Sequence, residues 1–341
     1  MLPSSQWRWE LVRQEKGFAA QLMEAAPVRA PGPGEVLMRV HASSLNRRDV
    51  AVLRGFYPVG PRERLVPLSD GAGEIVAVGD GVDQWRAGDR VLGTFHPDWK
   101  HGPATPAAKR PVPGDTCDGW LQQYVRTAAD SVVAAPEHLP DPEAATLVCA
   151  GTTAWSAIAA AGDIGPGSTV VTLGTGGVSL FVVQLAKALG ARVILTSSSD
   201  EKLAAAGADE GINYRTRPDW EREVRALTDG RGADLVVDLG GAETLAHSIR
   251  GARMGGTVVI AGVLSGHGAA EIPVSTAMLN NLHLVGVTVG SVADHAALSD
   301  FVAQHRIVPR ISHRLGWDEL PEAMRVMQAN EHIGKVTITV P

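Results

Sequence analysis

The chain has 341 residues, a net charge of −6 and two cysteines, Cys117 and Cys149. Its length allows two domains with separate cores, and a mildly acidic chain without a basic run is not expected to bind nucleic acid. No apolar run approaches membrane-spanning length and the first residues lack the apolar core of a signal peptide, so we expect no membrane association. Two cysteines do not make a disulfide framework, and a cytoplasmic location is expected.

The first 135 residues alternate between short apolar runs and turns. A proline-rich stretch over residues 96–119 interrupts them and is predicted to be a long irregular lobe. Short strands at this spacing indicate a barrel-like domain. The predicted strands cover residues 7–13, 35–41, 73–78, 90–95 and 122–125.

The pattern changes near residue 143. An apolar helix is predicted over residues 144–161, and from there strands alternate with helices. This alternation predicts an α/β fold with a doubly wound parallel sheet. The predicted strands are residues 169–173, 192–196, 211–214, 235–238, 257–261 and 284–289, with a last strand over 335–340.

A glycine-rich turn lies at the start of this second part. The β-branched run 169–173 leads into Gly174 and Gly176, and apolar residues then recur at helical spacing from Val178 onward. Gly174 allows a tight turn, and Gly176 lets the backbone approach a pyrophosphate at the helix start. Ser179 stands at the third glycine position of the motif. The arrangement predicts a dinucleotide site that includes Gly177; the alternative is an ordinary tight turn.

The end of the second strand carries serines where enzymes that use NAD carry an acid. Ser197 and Ser198 leave room for a 2′-phosphate, and Lys202 could pair with it. Asp200 comes late and is expected to cap the next helix together with Ser199. These residues favour NADP(H) over NAD(H); the alternative is that Lys202 is a surface helix residue.

Motifs along nearly the whole chain resemble the medium-chain dehydrogenase/reductase superfamily. The resemblance implies a GroES-like β-barrel catalytic domain over residues 1–135, completed by 291–341, and a Rossmann domain over 136–290, with the active site in the cleft between them. The motifs that carry it are Pro31–Val40, Asp70–Gly73, Gly88–Val91, Ala150–Trp155, Gly174–Val178, Gly255–Thr257 and Gly334–Val336.

The chain departs from the zinc-dependent alcohol dehydrogenases of that family. Where they carry Cys-His-Thr-Asp this chain has Asn46-Arg47-Arg48-Asp49, and Ser69 replaces their histidine ligand. Cys149 matches a third ligand position, but one thiol cannot make a catalytic zinc site. The resemblance therefore narrows to the zinc-independent branch, which includes quinone oxidoreductases and enoyl reductases, and no metal is expected.

The resemblance also nominates site residues. Tyr57 lies in a loop where similar enoyl reductases place a proton donor, and Asn46 is expected to face the nicotinamide and orient the ribose or the substrate oxygen. The alternatives are a half-buried loop aromatic and a turn-forming asparagine. Further cofactor contacts are expected at Thr153, Val178, Ser197, Ser198, Lys202, Tyr214, Gly262, Val263, Leu264, Gly290, Ser291 and Lys335.

These observations predict an NADPH-dependent, zinc-independent oxidoreductase. Its expected substrate is a small electrophile with an activated C=C or C=O bond, such as a quinone, an enone or a reactive aldehyde. Two alternatives remain: a zinc-free reversible alcohol dehydrogenase, and an NADP(H)-binding protein without catalysis. In the family the strand matching residues 282–289 pairs across a two-fold axis, so a homodimer is expected.

Overall fold

A computed structural model describes residues 3–25, 28–57, 62–266 and 268–341. The chain forms two compact units, one of Met1–Thr152 with Gly290–Pro341 and the other of Thr153–Val289. The second boundary lies next to the expected one at 290/291. The first lies beyond the expected boundary at 135/136, because residues 136–152 pack with the first unit.

Sixteen strands and ten α-helices form the described part of the chain. The strands are β1 Gln6–Arg13, β2 Phe18–Ala25, β3 Glu35–Ser44, β4 Arg64–Leu65, β5 Asp70–Val78, β6 Arg90–Gly93, β7 Tyr124–Ala128, β8 Val132–Ala134, β9 Thr169–Leu173, β10 Arg192–Ser197, β11 Glu210–Asn213, β12 Ala233–Asp238, β13 Ala252–Ile260, β14 His283–Gly286, β15 Ile311–Leu315 and β16 Lys335–Thr339. The helices are α1 Arg47–Leu53, α2 Asp141–Ala145, α3 Thr152–Ala159, α4 Gly177–Ala188, α5 Asp200–Ala206, α6 Trp220–Leu227, α7 Leu245–Gly251, α8 Val274–Leu279, α9 Val292–Gln304 and α10 Leu320–Ala329.

The first unit is built mostly on antiparallel strands, and its β15 and β16 pair in parallel. Its larger sheet has the order β15-β16-β3-β5-β6-β8, with β7 also paired to β3, and a three-stranded sheet has the order β2-β1-β4. The C-terminal strand β16 lies against β3, with Thr337 opposite Ser44, and Leu45 N donates to Val336 O at 2.9 Å. This pairing brings the start of β16 beside the residues that follow β3, which determines where Lys335 lies.

The second unit is a parallel sheet with helices between its strands. The strand order is β11-β10-β9-β12-β13-β14, with every neighbouring pair parallel. All five residues of β9 are buried, as expected for a central strand covered on both faces. The predicted doubly wound sheet is therefore confirmed, and β9 delivers the glycine-rich turn at its carboxyl end.

One strand was not predicted, and one local prediction differs from the structure. The hairpin strand β2 has no clear alternation in the sequence, and its pairing with β1 forms it. The predicted helix over 144–161 is divided into α2, a π-helical turn over Leu147–Gly151, and α3. Gly151 N bonds Thr146 O, five residues back, at 3.4 Å, and this wider turn carries Cys149. None of the described helices is long and apolar enough to cross a bilayer.

Candidate active site

The glycine-rich turn in the second unit has the geometry of an anion cradle. Gly174 adopts a φ of +79°, which favours glycine, and Gly176 precedes α4 in extended backbone with a φ of −78°. A Cβ atom at either glycine would meet no other atom within 4 Å, so the space beside the backbone is open. Ser179 is buried and its Oγ donates to Leu173 O at 2.6 Å, which fixes the helix against the strand. The turn therefore fits a dinucleotide pyrophosphate.

The predicted 2′-phosphate residues meet at the carboxyl end of β10. Tyr214 N donates to Ser197 O at 3.0 Å, and Ser199 Oγ caps α5 by accepting from Lys202 N at 3.2 Å. Asp200 Oδ1 accepts from Asn213 Nδ2 at 2.8 Å, so that carboxylate already has a partner. The expected capping by Ser199 is confirmed, and the end of the strand presents serines, a lysine and a tyrosine.

In the first unit, a buried group of polar side chains surrounds an ammonium. We call it the Lys335 cluster, and it contains Ser44, Asn46, Ser69, Asp70 and Lys335. Lys335 is 3% exposed, and its Nζ donates to Leu45 O at 2.7 Å and to Asn46 Oδ1 at 2.6 Å, with Asp70 Oδ2 at 3.3 Å. These three acceptors take the three ammonium donors.

The Asn46 amide is held from both ends within this cluster. Its oxygen accepts from Lys335, and its Nδ2 donates to Asp70 Oδ2 at 2.9 Å. Ser44 Oγ and Ser69 Oγ also donate to the Asp70 carboxylate, at 2.6 and 2.9 Å. A substrate or ribose contact from Asn46, or a phosphate contact from Lys335, would have to replace these bonds.

A second charged group surrounds Arg48, which lies in the first turn of α1. We call it the Arg48 site, and it contains Arg48, Asp49, Tyr57, Phe95 and Asp115. The Arg48 Cζ lies 5.1 Å from the centre of the Tyr57 ring and 5.2 Å from that of Phe95. Asp49 Oδ2 accepts from Asn46 N at 2.7 Å, which caps α1, and Asp49 Oδ1 lies 3.6 Å from Arg48 Nη1. The predicted proton donor Tyr57 therefore lies against a buried cation.

Burial governs the titration of the Arg48 site. It raises the pKa of Asp49 to about 6, against the attraction of Arg48. It also raises the pKa of Asp115, whose Oδ2 lies 3.3 Å from Arg48 Nη2. Desolvation acts to lower the pKa of Arg48, but the neighbouring carboxylates outweigh it and the net shift is upward, so the guanidinium stays charged.

Comparison with known proteins identifies the family. The profile described as an alcohol dehydrogenase GroES-like domain matches residues 32–137, and the profile described as a zinc-binding dehydrogenase matches residues 177–304. A zinc-type alcohol dehydrogenase-like protein of Schizosaccharomyces pombe is 37% identical, over 90% of this chain and 91% of its own. The chain belongs to the medium-chain dehydrogenase/reductase superfamily.

Two further relatives extend the comparison. A Sinorhizobium meliloti 1021 protein, solved as a candidate alcohol dehydrogenase, is 37% identical over the full length of both chains with a TM-score of 0.93. The acryloyl-coenzyme A reductase of Metallosphaera sedula is 25% identical over 91% of this chain and 93% of its own. The protein is thus an NAD(P)H-dependent oxidoreductase with a GroES-like domain and a Rossmann domain, as the sequence predicts.

The donors at the family's zinc position do not fit a catalytic zinc ion. Asn46 and Ser69 offer an amide and a hydroxyl, both already hydrogen-bonded, and the Lys335 ammonium lies beside them. Burial and the nearby Asp70 charge raise the pKa of the Cys149 thiol, so it stays protonated and is a poor ligand. Within the described ranges, no group of three or more histidine, cysteine or acidic side chains is arranged to hold a metal.

The other predicted cofactor residues fall in both units and stay predictions. In the second unit Thr153 is buried, while Val263 and Leu264, which follow β13, are exposed. A Cβ atom at Gly262 would lie 2.5 Å from Leu239 O, so close packing requires that glycine. In the first unit, Gly290 precedes Ser291, whose Oγ caps α9 by accepting from Asp294 N at 3.1 Å and also donates to the Asp294 carboxylate.

Sequence reasoning missed the buried position of Arg48 against Tyr57 and the central position of Asp70. The available signal for Arg48 was its place in the family motif, where an arginine stands for a small hydroxyl residue. Asp70 begins one of the family motifs, but that motif does not show its partners, because Ser44, Asn46 and Lys335 lie in two distant segments that only the pairing of β3, β5 and β16 brings to it.

Proposed function

We propose that the protein is an NADPH-dependent, zinc-independent reductase of small electrophiles with an activated C=C or C=O bond. The observation that carries this proposal is the Lys335 ammonium, hydrogen-bonded to Asn46 where the family's alcohol dehydrogenases hold a zinc ligand. A site that already contains its cation cannot use a metal to polarise an alcohol or a carbonyl. Its substrate must therefore be electron-poor, or be activated by hydrogen bonds.

The nicotinamide supplies a hydride when it is bound, and the remaining step is a proton transfer from the chain. Tyr57 is our proton donor, because a phenol can donate to an oxygen or carbon on which charge develops. Its ring is held by Arg48 and is partly buried against an apolar cluster that includes Leu11 and Val52. The ring position is therefore fixed without use of the hydroxyl.

The preference for NADPH rests on the end of β10. The residues around it are Ser197, Ser198, Lys202 and Tyr214. Of the two acids in the first turn of α5, Asp200 is bonded to Asn213 and Glu201 is exposed. A ribose with a free 2′-OH would not find the Asp200 carboxylate open, whereas a 2′-phosphate would find hydroxyls and an ammonium.

One alternative function has a specific observation in its favour. The relatives from Schizosaccharomyces pombe and Sinorhizobium meliloti carry alcohol dehydrogenase descriptions, which favours a zinc-free reversible alcohol dehydrogenase. The Metallosphaera sedula relative, an acryloyl-coenzyme A reductase, favours C=C reduction instead. Turnover of a secondary alcohol with NADP+ would support the alternative, and cofactor binding without any turnover would support a non-catalytic role.

The proposal is tested by NADPH oxidation with but-3-en-2-one and 1,4-benzoquinone, using protein purified without chelators. We expect turnover and well under one zinc per chain. Tyr57→Phe should slow enone reduction by about 10²-fold in kcat and kcat/KM while NADPH affinity is retained, since only the hydroxyl is lost. Stoichiometric zinc whose removal by EDTA abolishes activity would refute the zinc-independent assignment, and full Tyr57→Phe activity would refute the proton donor.

We further propose a homodimer formed through β14. This strand is the edge of the parallel sheet, and its Leu284 is 39% exposed. The neighbouring helix α8 exposes Val274, Met278 and Leu279, which adds apolar surface beside the open edge. Light scattering at micromolar concentration should give twice the chain mass.

We place the protein in the cytoplasm, in keeping with its two free cysteines.

A further inference from the structure

Arg48 is a buried cation that forms few hydrogen bonds within the described part of the chain. Its side chain is 10% exposed, and Nη1 donates to Pro113 O at 3.3 Å. Among the residues that the structure describes, Nε and Nη2 have no hydrogen-bond partner: Nη2 forms an ion pair with Asp115 Oδ2 at 3.3 Å, but without the geometry of a hydrogen bond. Buried donors are nearly always paired, and an unpaired one on a charged group is costly, so these two donors point to a ligand.

The two open donors lie on the same side of the guanidinium. The Nε–H and one Nη2–H bond point in nearly parallel directions, which suits an oxygen acceptor. Tyr57 and Phe95 contact the planar group and limit its rotation. The edge is therefore held in place, and the ring of the proposed proton donor Tyr57 lies against the same guanidinium.

The surrounding charge selects the kind of oxygen. Asp49 lies 3.6 Å and Asp115 3.3 Å from the guanidinium, so two carboxylates already face one positive charge. A third carboxylate, on a ligand, would be repelled. A neutral oxygen would not, and it would gain from the donors as negative charge develops on it during a reaction.

We propose that the Nε and Nη2 edge of Arg48 binds the neutral carbonyl oxygen of the substrate. This inference rests on the proposed reductase function and narrows its substrate class to α,β-unsaturated aldehydes and ketones. Arg48 is then a catalytic residue distinct from Tyr57: it binds the oxygen, and Tyr57 supplies the proton.

The reaction balances with the nicotinamide as reductant. Hydride adds to the carbon β to the carbonyl, and the C=C electron pair shifts to give an enolate whose oxygen carries the charge. The Arg48 donors stabilise that oxygen. The Tyr57 hydroxyl gives its proton to the α-carbon and regains one from water. The enone becomes a saturated ketone, and NADPH becomes NADP+.

Binding of unreactive probes tests the oxygen contact without turnover. Butanamide and butanoate have similar shape, but the first offers a neutral carbonyl and the second a carboxylate. In the presence of NADP+, saturation-transfer NMR should show butanamide bound to the wild type at least tenfold more tightly than butanoate. Arg48→Gln should lose butanamide binding, while the control Arg54→Gln, at the exposed end of the same helix, should keep it. Tighter binding of butanoate, or unchanged butanamide binding in Arg48→Gln, would overturn the proposal.

Kinetics give a second, separate measurement. Arg48→Gln should lower kcat for but-3-en-2-one by about 10²- to 10³-fold, the scale for losing an oxyanion donor, and should reduce 1,4-benzoquinone turnover much less. Arg48→Lys should recover only part of the loss. For Arg48→Ala, added guanidinium chloride at millimolar concentration should restore activity and urea should not, which excludes loss of folding as the cause. Equal losses on both substrates without rescue would overturn the proposal.

The two tests separate this inference from the proposed function. If the wild type reduces neither probe but binds butanamide through Arg48, the reductase assignment fails and the carbonyl site stands. If the wild type reduces the enone and Arg48→Gln does so equally well, the reductase assignment stands and the carbonyl site fails.

Discussion

The glycine-rich turn and the Lys335 cluster handle charge in opposite ways. At the turn, Gly174 and Gly176 leave the backbone bare and the adjacent space open, so the charge that satisfies it must arrive with a ligand. In the Lys335 cluster, Asp70 and Asn46 already bind the ammonium, so charge and donors are matched within the protein. The glycine-rich turn can therefore bind and release a charged ligand, whereas the Lys335 cluster is complete without one.

The largest expected effect comes from removing the cation of the Lys335 cluster. Lys335→Met leaves the Asp70 carboxylate buried without its cation, which should lower the free energy of unfolding by about 3–5 kcal/mol in urea titrations. Lys187→Met is the control, because Lys187 pairs with Asp209 at the surface at 2.5 Å, where removal should cost about 1 kcal/mol or less. Combining Lys335→Met with Asp70→Asn should recover much of the loss. A Lys335→Met protein as stable as the control would show that the cluster is not a matched pair.

The second effect is a pH dependence in the same unit. Burial raises the pKa of Asp49 to about 6, so between pH 4 and 6 the folded state binds more protons than the unfolded state. The contribution of Asp49 to the free energy of unfolding must then fall as pH rises through that window. The free energy of unfolding of the wild type minus that of Asp49→Asn should fall by up to about 3 kcal/mol from pH 4 to pH 7.

Asp209 provides a control of opposite sign. Burial acts to raise its pKa, but the bonds from Lys187 and Val193 N outweigh that and hold it below its usual value. The free energy of unfolding of the wild type minus that of Asp209→Asn should therefore rise as the pH rises through the acid range. The interpretation of Asp49 would be wrong if both differences moved in the same direction.

The contrast between the two sites also explains what the sequence could predict. The turn is specified by contiguous residues, because Gly174, Gly176 and Ser179 act through backbone conformation and local packing. The Lys335 cluster joins residues from β3, β5 and β16, and only strand pairing makes them neighbours. The sequence predicts that Asn46 and Ser69 replace zinc ligands, and this stays a prediction. It could not show that Lys335, which lies 289 positions from Asn46 in the chain, would bond to that asparagine.

At the glycine-rich turn, one added methyl group should weaken cofactor binding without affecting folding. Gly176 has a φ of −78° and room for a Cβ atom, so Gly176→Ala should fold normally, but its methyl group would occupy the space of the pyrophosphate. We expect NADPH affinity to fall by about 10²-fold, or about 2.7 kcal/mol, in fluorescence titrations. Gly165→Ala, whose Cβ would make only an ordinary contact at 3.7 Å, is the matched control. Unchanged NADPH binding in Gly176→Ala would refute the cradle.

The smallest expected effect concerns the preference of the Rossmann domain for NADPH over NADH. Lys202 follows the Ser199 cap on α5, and Tyr214 N is bonded to the last residue of β10, so both lie near the predicted 2′-phosphate. One charge-assisted contact to that phosphate contributes about 1.5–3 kcal/mol, or roughly ten- to a hundredfold in affinity. Lys202→Ala should therefore remove most of the preference for NADPH over NADH, measured as the ratio of the two dissociation constants, and leave NADH affinity unchanged. Lys187→Ala, in the same unit, should keep the wild-type ratio. The assignment fails if wild type prefers NADH, or if Lys202→Ala weakens both cofactors equally, since that would place the lysine at a part of the dinucleotide that the two share.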